Sequence, residues 1–167
     1  YRVGWVSFSG AADRAEQYLN ALDLLAALRL CSNVPGQWAV QTALGGYQSI
    51  HKLCSPGGRL YESRKSIVDA VDASPFLSLV APRGSMYAFI GVNTKKVPDF
   101  DDEAFALELL EQKHVLVAPG SSFNTRYRDH FRITTLPTSD QLEDVFQRIN
   151  AVLEQLAAGG PKLEIAR

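Results

Sequence analysis

Arg132 is the side chain whose setting most asks for a chemical explanation. It stands in Phe131-Arg132-Ile133-Thr134, a strand-like run whose other members are apolar or β-branched. A guanidinium there is costly to bury unless a carboxylate or phosphate meets it, and its planar fork suits a carboxylate held in fixed orientation. The alternative is an edge-strand arginine facing water. Arg2 has a weaker claim: it precedes Gly4, which lets backbone or ligand approach closely, but an arginine near a chain end is usually solvated. Arg126 and Arg128 flank Tyr127 and could bind an anion, although the run reads first as a solvated loop. His51 and Cys54 are three apart and could in principle share a metal. Cys31 is the obvious further thiolate, and His114 and His130 lie far away in sequence, so a buried thiol and a surface histidine are the better reading. Three familiar signatures are missing: the dinucleotide-type glycine fingerprint, the phosphate-binding Gly-Lys-Ser/Thr loop and the Gly-x-Ser-x-Gly elbow.

The bulk of the chain excludes several classes of protein without selecting one. It has 167 residues, 46% hydrophobic and 21% charged, enough for one good core or two modest ones. That composition rules out a disordered tail, a collagen-like repeat and a disulfide-stapled miniprotein. With 17 Lys+Arg against 18 Asp+Glu there is no basic excess to neutralise phosphates, which argues against a nucleic-acid partner. No apolar run approaches the roughly 20 residues of a membrane helix. Two cysteines point to a reducing compartment, and the first residues lack a basic segment followed by an apolar one, so a cytoplasmic location is expected. The acidic side chains between 98 and 115 have helical spacing and read as a solvated face.

Residues 2–8 read as a strand, with Ser9-Gly10 as its turn. A helix is predicted from about Ala11 to Leu30, stopped by Ser32-Asn33-Val34-Pro35-Gly36, where Pro35 disfavours helix at Val34. A second follows over about 37–52, weakened at Gly45-Gly46, and Ser55-Pro56-Gly57-Gly58 marks a domain boundary. Beyond it come a helix over about 59–72, strands at 77–80 and 86–92, and an acidic helix near 101–112. Short strands at 115–118 and 130–135 follow, then a last helix opening on a Thr138…Gln141 capping box. Its stripe is Leu142, Val145, Phe146, Ile149, Val152, Leu153 and Leu156. The order helix, strand, strand, helix, strand, strand, helix after Arg59 predicts an α+β domain, a small sheet covered by helices. The first third, one strand and two helices, does not look self-sufficient.

Five segments, in order, carry a resemblance. Arg2-Val3-Gly4-Trp5 resembles the segment just after the cofactor lysine of fold-type-I, pyridoxal-phosphate-dependent aminotransferases. Ser32-Asn33-Val34-Pro35-x-Gln37, Pro82-x-Gly84-x-Met86-Tyr87-x-Phe89, Val117-x-Pro119-Gly120-x-x-Phe123 and Phe131-Arg132-Ile133 then follow at the family's spacing. The resemblance covers about residues 1–157 and is greatest to the bacterial glutamate–pyruvate (alanine) branch.

The resemblance implies an α/β chain in three parts: 1–56 from the large cofactor-binding domain, 57–160 as the small C-terminal domain, and 161–167 as a tail. It implies that Arg132 grips the substrate α-carboxylate and that Arg2 pairs with the phosphate of pyridoxal 5'-phosphate. Ser32 and Asn33 would lie on a loop that reaches the active site across a homodimer interface, while Gly84 and Tyr87 would be turn and core residues rather than ligand contacts. The lysine that forms the Schiff base is expected upstream of Tyr1, since none of Lys52, Lys65, Lys95, Lys96, Lys113 or Lys162 stands in the matching context. The expectation is therefore a C-terminal piece of a transaminase, inactive alone, from an enzyme passing an amino group between alanine or glutamate and a 2-oxo acid. A C–S lyase of the same fold and a non-catalytic α+β interaction module are the alternatives.

Overall fold

A computed structural model describes residues 2–160; the expected tail, 161–167, lies outside them. The chain forms two compact units, residues up to 50 and residues from 51 onward.

In the first unit, residues 2–8, which the sequence reads as a strand, hold no regular structure. A strand is completed by hydrogen bonds to a neighbour, and among the described residues of this unit no other segment is a strand. A 3-10 turn, Ala12–Ala15, leads into α1 (Glu16–Arg29). Next, α2 spans Val34–Gly45, so Pro35 begins this helix instead of excluding Val34 from it: it occupies the first turn, where its missing N–H costs nothing. The break at Gly46 is real, and α3 (Ser49–Cys54) is a separate short helix. Gly36 alone is buried among the described residues up to 50.

The second unit has the core. Helix α4 covers Arg59–Ala73, α5 covers Asp102–Lys113 and α6 covers Ser139–Ala157. The strands are β1 (Leu77–Leu79), β2 (Tyr87–Val92), β3 (Ala118–Pro119) and β4 (His130–Thr134). They make one antiparallel sheet in the order β1-β2-β4-β3. The strand expected at 115–118 is reduced to Ala118–Pro119, opposite Arg132 and Phe131. Proline is tolerated there because β3 is an edge strand.

One face of the sheet packs against the helices. Ala88, Ile90 and Val92 of β2 and Phe131 and Ile133 of β4 point into a core with Ile67, Val71, Phe105 and Leu109. From α6 the predicted stripe arrives almost whole: Leu142, Phe146, Ile149, Val152, Leu153 and Leu156 are buried, with Val145 packed at the margin. Gln141 Oε1 accepts the Thr138 backbone N–H at 3.0 Å, as a capping box requires.

The acidic stretch is not simply a solvated face. Asp101 caps α5, accepting from the Ala104 N–H at 2.8 Å. Asp102 and Glu108 are buried, which their hydrogen bonds allow: Asp102 Oδ2 accepts the Ser121 N–H and Glu108 Oε1 accepts from Gln112 Nε2.

Candidate functional site

Strand alternation separates the two faces of β4. Phe131 and Ile133 enter the core, so His130, Arg132 and Thr134 project from the opposite face, beside Tyr87 and Phe89 of β2. Aromatic rings line that face. Phe89 stacks on His130 with centroids 4.8 Å apart and meets Phe123 edge-on at 6.1 Å, while Tyr127 lies 4.9 Å from His130.

Arg132 sits within this layer. Its Cζ is 4.3 Å from the centroid of Tyr87 and 4.4 Å from that of Phe123. The guanidinium thus contacts both rings. β4 runs between β2 and β3, which removes the edge-strand reading of this arginine. Tyr87, expected in the core, is 42% exposed and belongs to the aromatic layer. Tyr87 begins β2, where alternation turns it to the open face, as the Tyr-x-Phe spacing in Tyr87-Ala88-Phe89 signals.

The same face borders a cavity of about 760 Å³, lined by residues including Met86, Tyr87, Leu116, Arg132, Thr134 and Arg148. That volume suits a small ligand. Its two arginines differ in a way that matters. Arg148 is committed, with Nη2 2.7 Å from Asp144 Oδ2 and Nη1 donating to the Lys113 carbonyl at 3.0 Å. The Arg132 guanidinium, by contrast, makes no hydrogen bond or ion pair with the described residues. With two rings against its Cζ and no described residue engaging its N–H groups, it can take a planar anion in two parallel hydrogen bonds.

The other predicted residues fall in the first unit. Asn33 caps α2, its Oδ1 accepting the Gly36 N–H at 3.0 Å, while Ser32 is exposed in the turn before it. A Cβ on Gly36 would collide with Cγ2 of Val3. The absence of a side chain at 36 therefore lets residues 2–4 lie against the first turn of α2. This brings Arg2's neighbour to the Asn33 cap. Arg2 is exposed and makes no ion pair with the described residues. An exposed guanidinium fits the phosphate of pyridoxal phosphate in charge and donor type.

Arg126 and Arg128 are exposed, and the Arg126 Cζ is 5.7 Å from the Tyr127 ring centroid. Cys31 and Cys54 are free and exposed, so the buried thiol expected at 54 is not found; the short helix α3 covers no core. Among the described residues no three His, Cys, Asp or Glu side chains gather as a metal site, and no helix is long and apolar enough to cross a membrane.

With this geometry in view, the comparisons are specific. Residues 1–149 match the aminotransferase class I and II family, and the chain belongs to it. The particular relatives narrow the branch. It is 45% identical over 149 residues to the glutamate-pyruvate aminotransferase AlaA of Haemophilus influenzae, covering 89% of this chain and 37% of that protein. Against the Mycobacterium bovis alanine aminotransferase it is 40% identical over 153 residues, covering 92% and 36%. An Escherichia coli aminotransferase crystal structure superposes with a TM-score of 0.78 at 43% identity, over 87% of this chain and 36% of that one. The chain thus spans about a third of the length of the relatives it matches.

Proposed function

We propose that the chain is the C-terminal part of a pyridoxal-phosphate-dependent aminotransferase, and that Arg132 holds the α-carboxylate of its amino-acid and 2-oxo-acid substrates. One observation carries this reading: a half-buried guanidinium, in contact with aromatic rings beside a ligand-sized cavity, makes no hydrogen bond or ion pair with the described residues. The names of the relatives support alanine with pyruvate and glutamate with 2-oxoglutarate as the exchanging pairs.

When bound, pyridoxal phosphate supplies the electron sink that makes proton removal from the substrate α-carbon feasible. This chain's part is to bind and orient. Arg132 receives the carboxylate in a bidentate grip, and that grip fixes the rotation of the α-carbon, so the bond to be broken is presented in one orientation. Arg2 pairs with the cofactor phosphate from the exposed start of the described chain. Ser32 and Asn33 belong to a loop reaching the active site across a homodimer, in a cytoplasmic enzyme. Residues 1–56 are the end of the large domain and 57–160 the small domain. No lysine here has the context of a Schiff-base lysine, so these 167 residues alone should show no turnover.

Arg132→Lys in the full-length enzyme tests the assignment. Lysine keeps the charge but loses the fork. The expected result is a fall in kcat/KM of roughly 10- to 100-fold, from the loss of a charge-assisted hydrogen bond, with circular dichroism unchanged. An unchanged kcat/KM for every amino acid and 2-oxo acid tried would overturn it.

A further inference from the structure

A guanidinium that must present its edge to a carboxylate has a geometric problem of its own. Its flexible aliphatic stem allows the plane to rotate, and each orientation aims the N–H fork elsewhere. Hydrogen bonds to neighbouring carboxylates or carbonyls commonly fix such a plane, but they would occupy the donors that the ligand needs. Arg132 makes none to the described residues. Restraining the plane by ring contacts leaves every donor available, and the rings of Tyr87 and Phe123 have their centroids 4.3 and 4.4 Å from its Cζ.

We infer that Tyr87 and Phe123 are positioning residues, two aromatic walls that set the plane of the Arg132 guanidinium and so decide which carboxylate orientation is accepted. The inference rests on the proposed carboxylate role of Arg132. Neither residue has a competing duty in the core, for both are more than one-third exposed. A ring left partly in water gains little from burial, whereas a ring beside a guanidinium gains a cation–π contact.

The wall formed by Tyr87 comes directly from the sheet, since Tyr87 pairs with Thr134, two residues along β4 from Arg132. The wall formed by Phe123 has to be built. Phe123 closes the 3-10 turn Gly120–Phe123, which presses against β4 closely enough that a Cβ on Gly120 would stand 2.7 Å from the His130 carbonyl oxygen. Asp102 anchors the turn from below, accepting the Ser121 N–H at 2.6 Å, and Glu103 Oε1 accepts the Ser121 hydroxyl at 3.0 Å. Phe89 meets Phe123 edge-on and stacks on His130, which limits the sideways movement of the Phe123 ring. The Phe123 wall is therefore held by contacts with α5, β2 and β4.

The test is made in the full-length enzyme with Tyr87→Phe, Tyr87→Ala, Phe123→Leu and Arg132→Lys, and with the double variant Phe123→Leu/Arg132→Lys. Tyr87→Phe keeps the ring and should leave KM within twofold of the parent. Tyr87→Ala and Phe123→Leu should each raise KM by roughly three- to tenfold, the worth of one partly exposed cation–π contact. In the double variant Phe123→Leu should add less than twofold to the effect of Arg132→Lys, because the wall then has no guanidinium plane to set. Independently of turnover, the Arg132 Nε–H proton resonance should lose its ring-current shift in Tyr87→Ala and Phe123→Leu while the fold persists. The inference fails, with the carboxylate role intact, if Arg132→Lys raises KM but both wall variants leave it within twofold. Equal loss in Tyr87→Phe and Tyr87→Ala would also overturn it, by assigning the effect to the hydroxyl. If Arg132→Lys itself leaves KM unchanged, the carboxylate reading falls and the positioning role falls with it.

Discussion

Asp102 Oδ2 accepts the Ser121 backbone N–H at 2.6 Å, joining the first turn of α5 to the 3-10 turn that carries Phe123. The carboxylate is buried, 2% exposed, so its acceptor oxygen has little recourse to water. Asp102→Ala should lower unfolding stability by about 1–3 kcal/mol, measured by urea titration of far-ultraviolet circular dichroism. Asp102→Asn keeps an oxygen acceptor and should cost less than half as much. A loss in Asn equal to that in Ala would assign the contact's worth to charge rather than to the hydrogen bond.

Phe131 and Arg132 are adjacent on β4 and should respond oppositely. Phe131 is fully buried, its ring 5.3 Å from that of Phe105, and Phe131→Ala should cost about 3–5 kcal/mol through the cavity it leaves. Arg132→Ala removes a half-buried side chain from the open face and should change stability by no more than about 1 kcal/mol, the scale of its cation–π contacts. Denaturant midpoints for the two variants separate a residue kept for packing from one kept for binding. Comparable losses would mean that the aromatic layer around Arg132 is part of what holds the sheet together.

Much of this is legible in the amino-acid sequence alone. The stripe of α6 has no reading other than an amphipathic helix, because seven apolar side chains recur at its period and a capping box opens it. The second unit was legible for the same reason: its strands alternate and its helices carry apolar faces that find each other. Arg132 could be singled out because an arginine among Phe131, Ile133 and Thr134 needs a reason. What covers it could not. Tyr87 and Phe123 lie 36 positions apart and meet Arg132 only once β2, β4 and the 3-10 turn are placed. Pro35 was misread because proline is equally compatible with ending one helix and opening the next, and Asn33, three residues before Gly36, was the cap that decided it. Residues 2–8 have the composition of a strand, but strand formation depends on a neighbour that composition does not supply.

The cap itself can be tested. Asn33→Ala removes the acceptor for the Gly36 N–H and should destabilise α2 by about 1 kcal/mol, whereas Asn33→Asp should retain most of it. The readout is hydrogen exchange at Gly36 and its neighbours, with the unit from residue 51 onward unchanged. Ser32→Ala, at an exposed position where the hydroxyl bonds none of the described residues, should shift stability by less than about 0.5 kcal/mol. An effect of Ser32→Ala on the kinetics of the full-length enzyme without one on stability would then mark this loop as part of the active site.

The chain's two tryptophans report on the first unit alone. Trp5 is 69% exposed and Trp38 83%, both within residues up to 50. Val6, Tyr18, Leu24, Leu25 and Leu28 are exposed as well, so α1 and α2 present apolar surface without a core beneath it. Helices of 14 and 12 residues are marginal in water when packing does not support them. In the 167-residue chain, tryptophan emission should therefore be that of water-exposed indole, and should change little when urea unfolds the second unit. Circular dichroism over the same titration should show the cooperative loss of α4, α5 and α6. Amides of α1 and α2 should exchange orders of magnitude faster than those of β2, β4 and α6, because their opening requires no disruption of the core. In the full-length enzyme the same tryptophans should emit to the blue and α1 and α2 should gain protection, as their apolar faces acquire a partner. Blue-shifted emission and slow exchange already present in the 167-residue chain, growing with protein concentration, would instead show these faces pairing between copies.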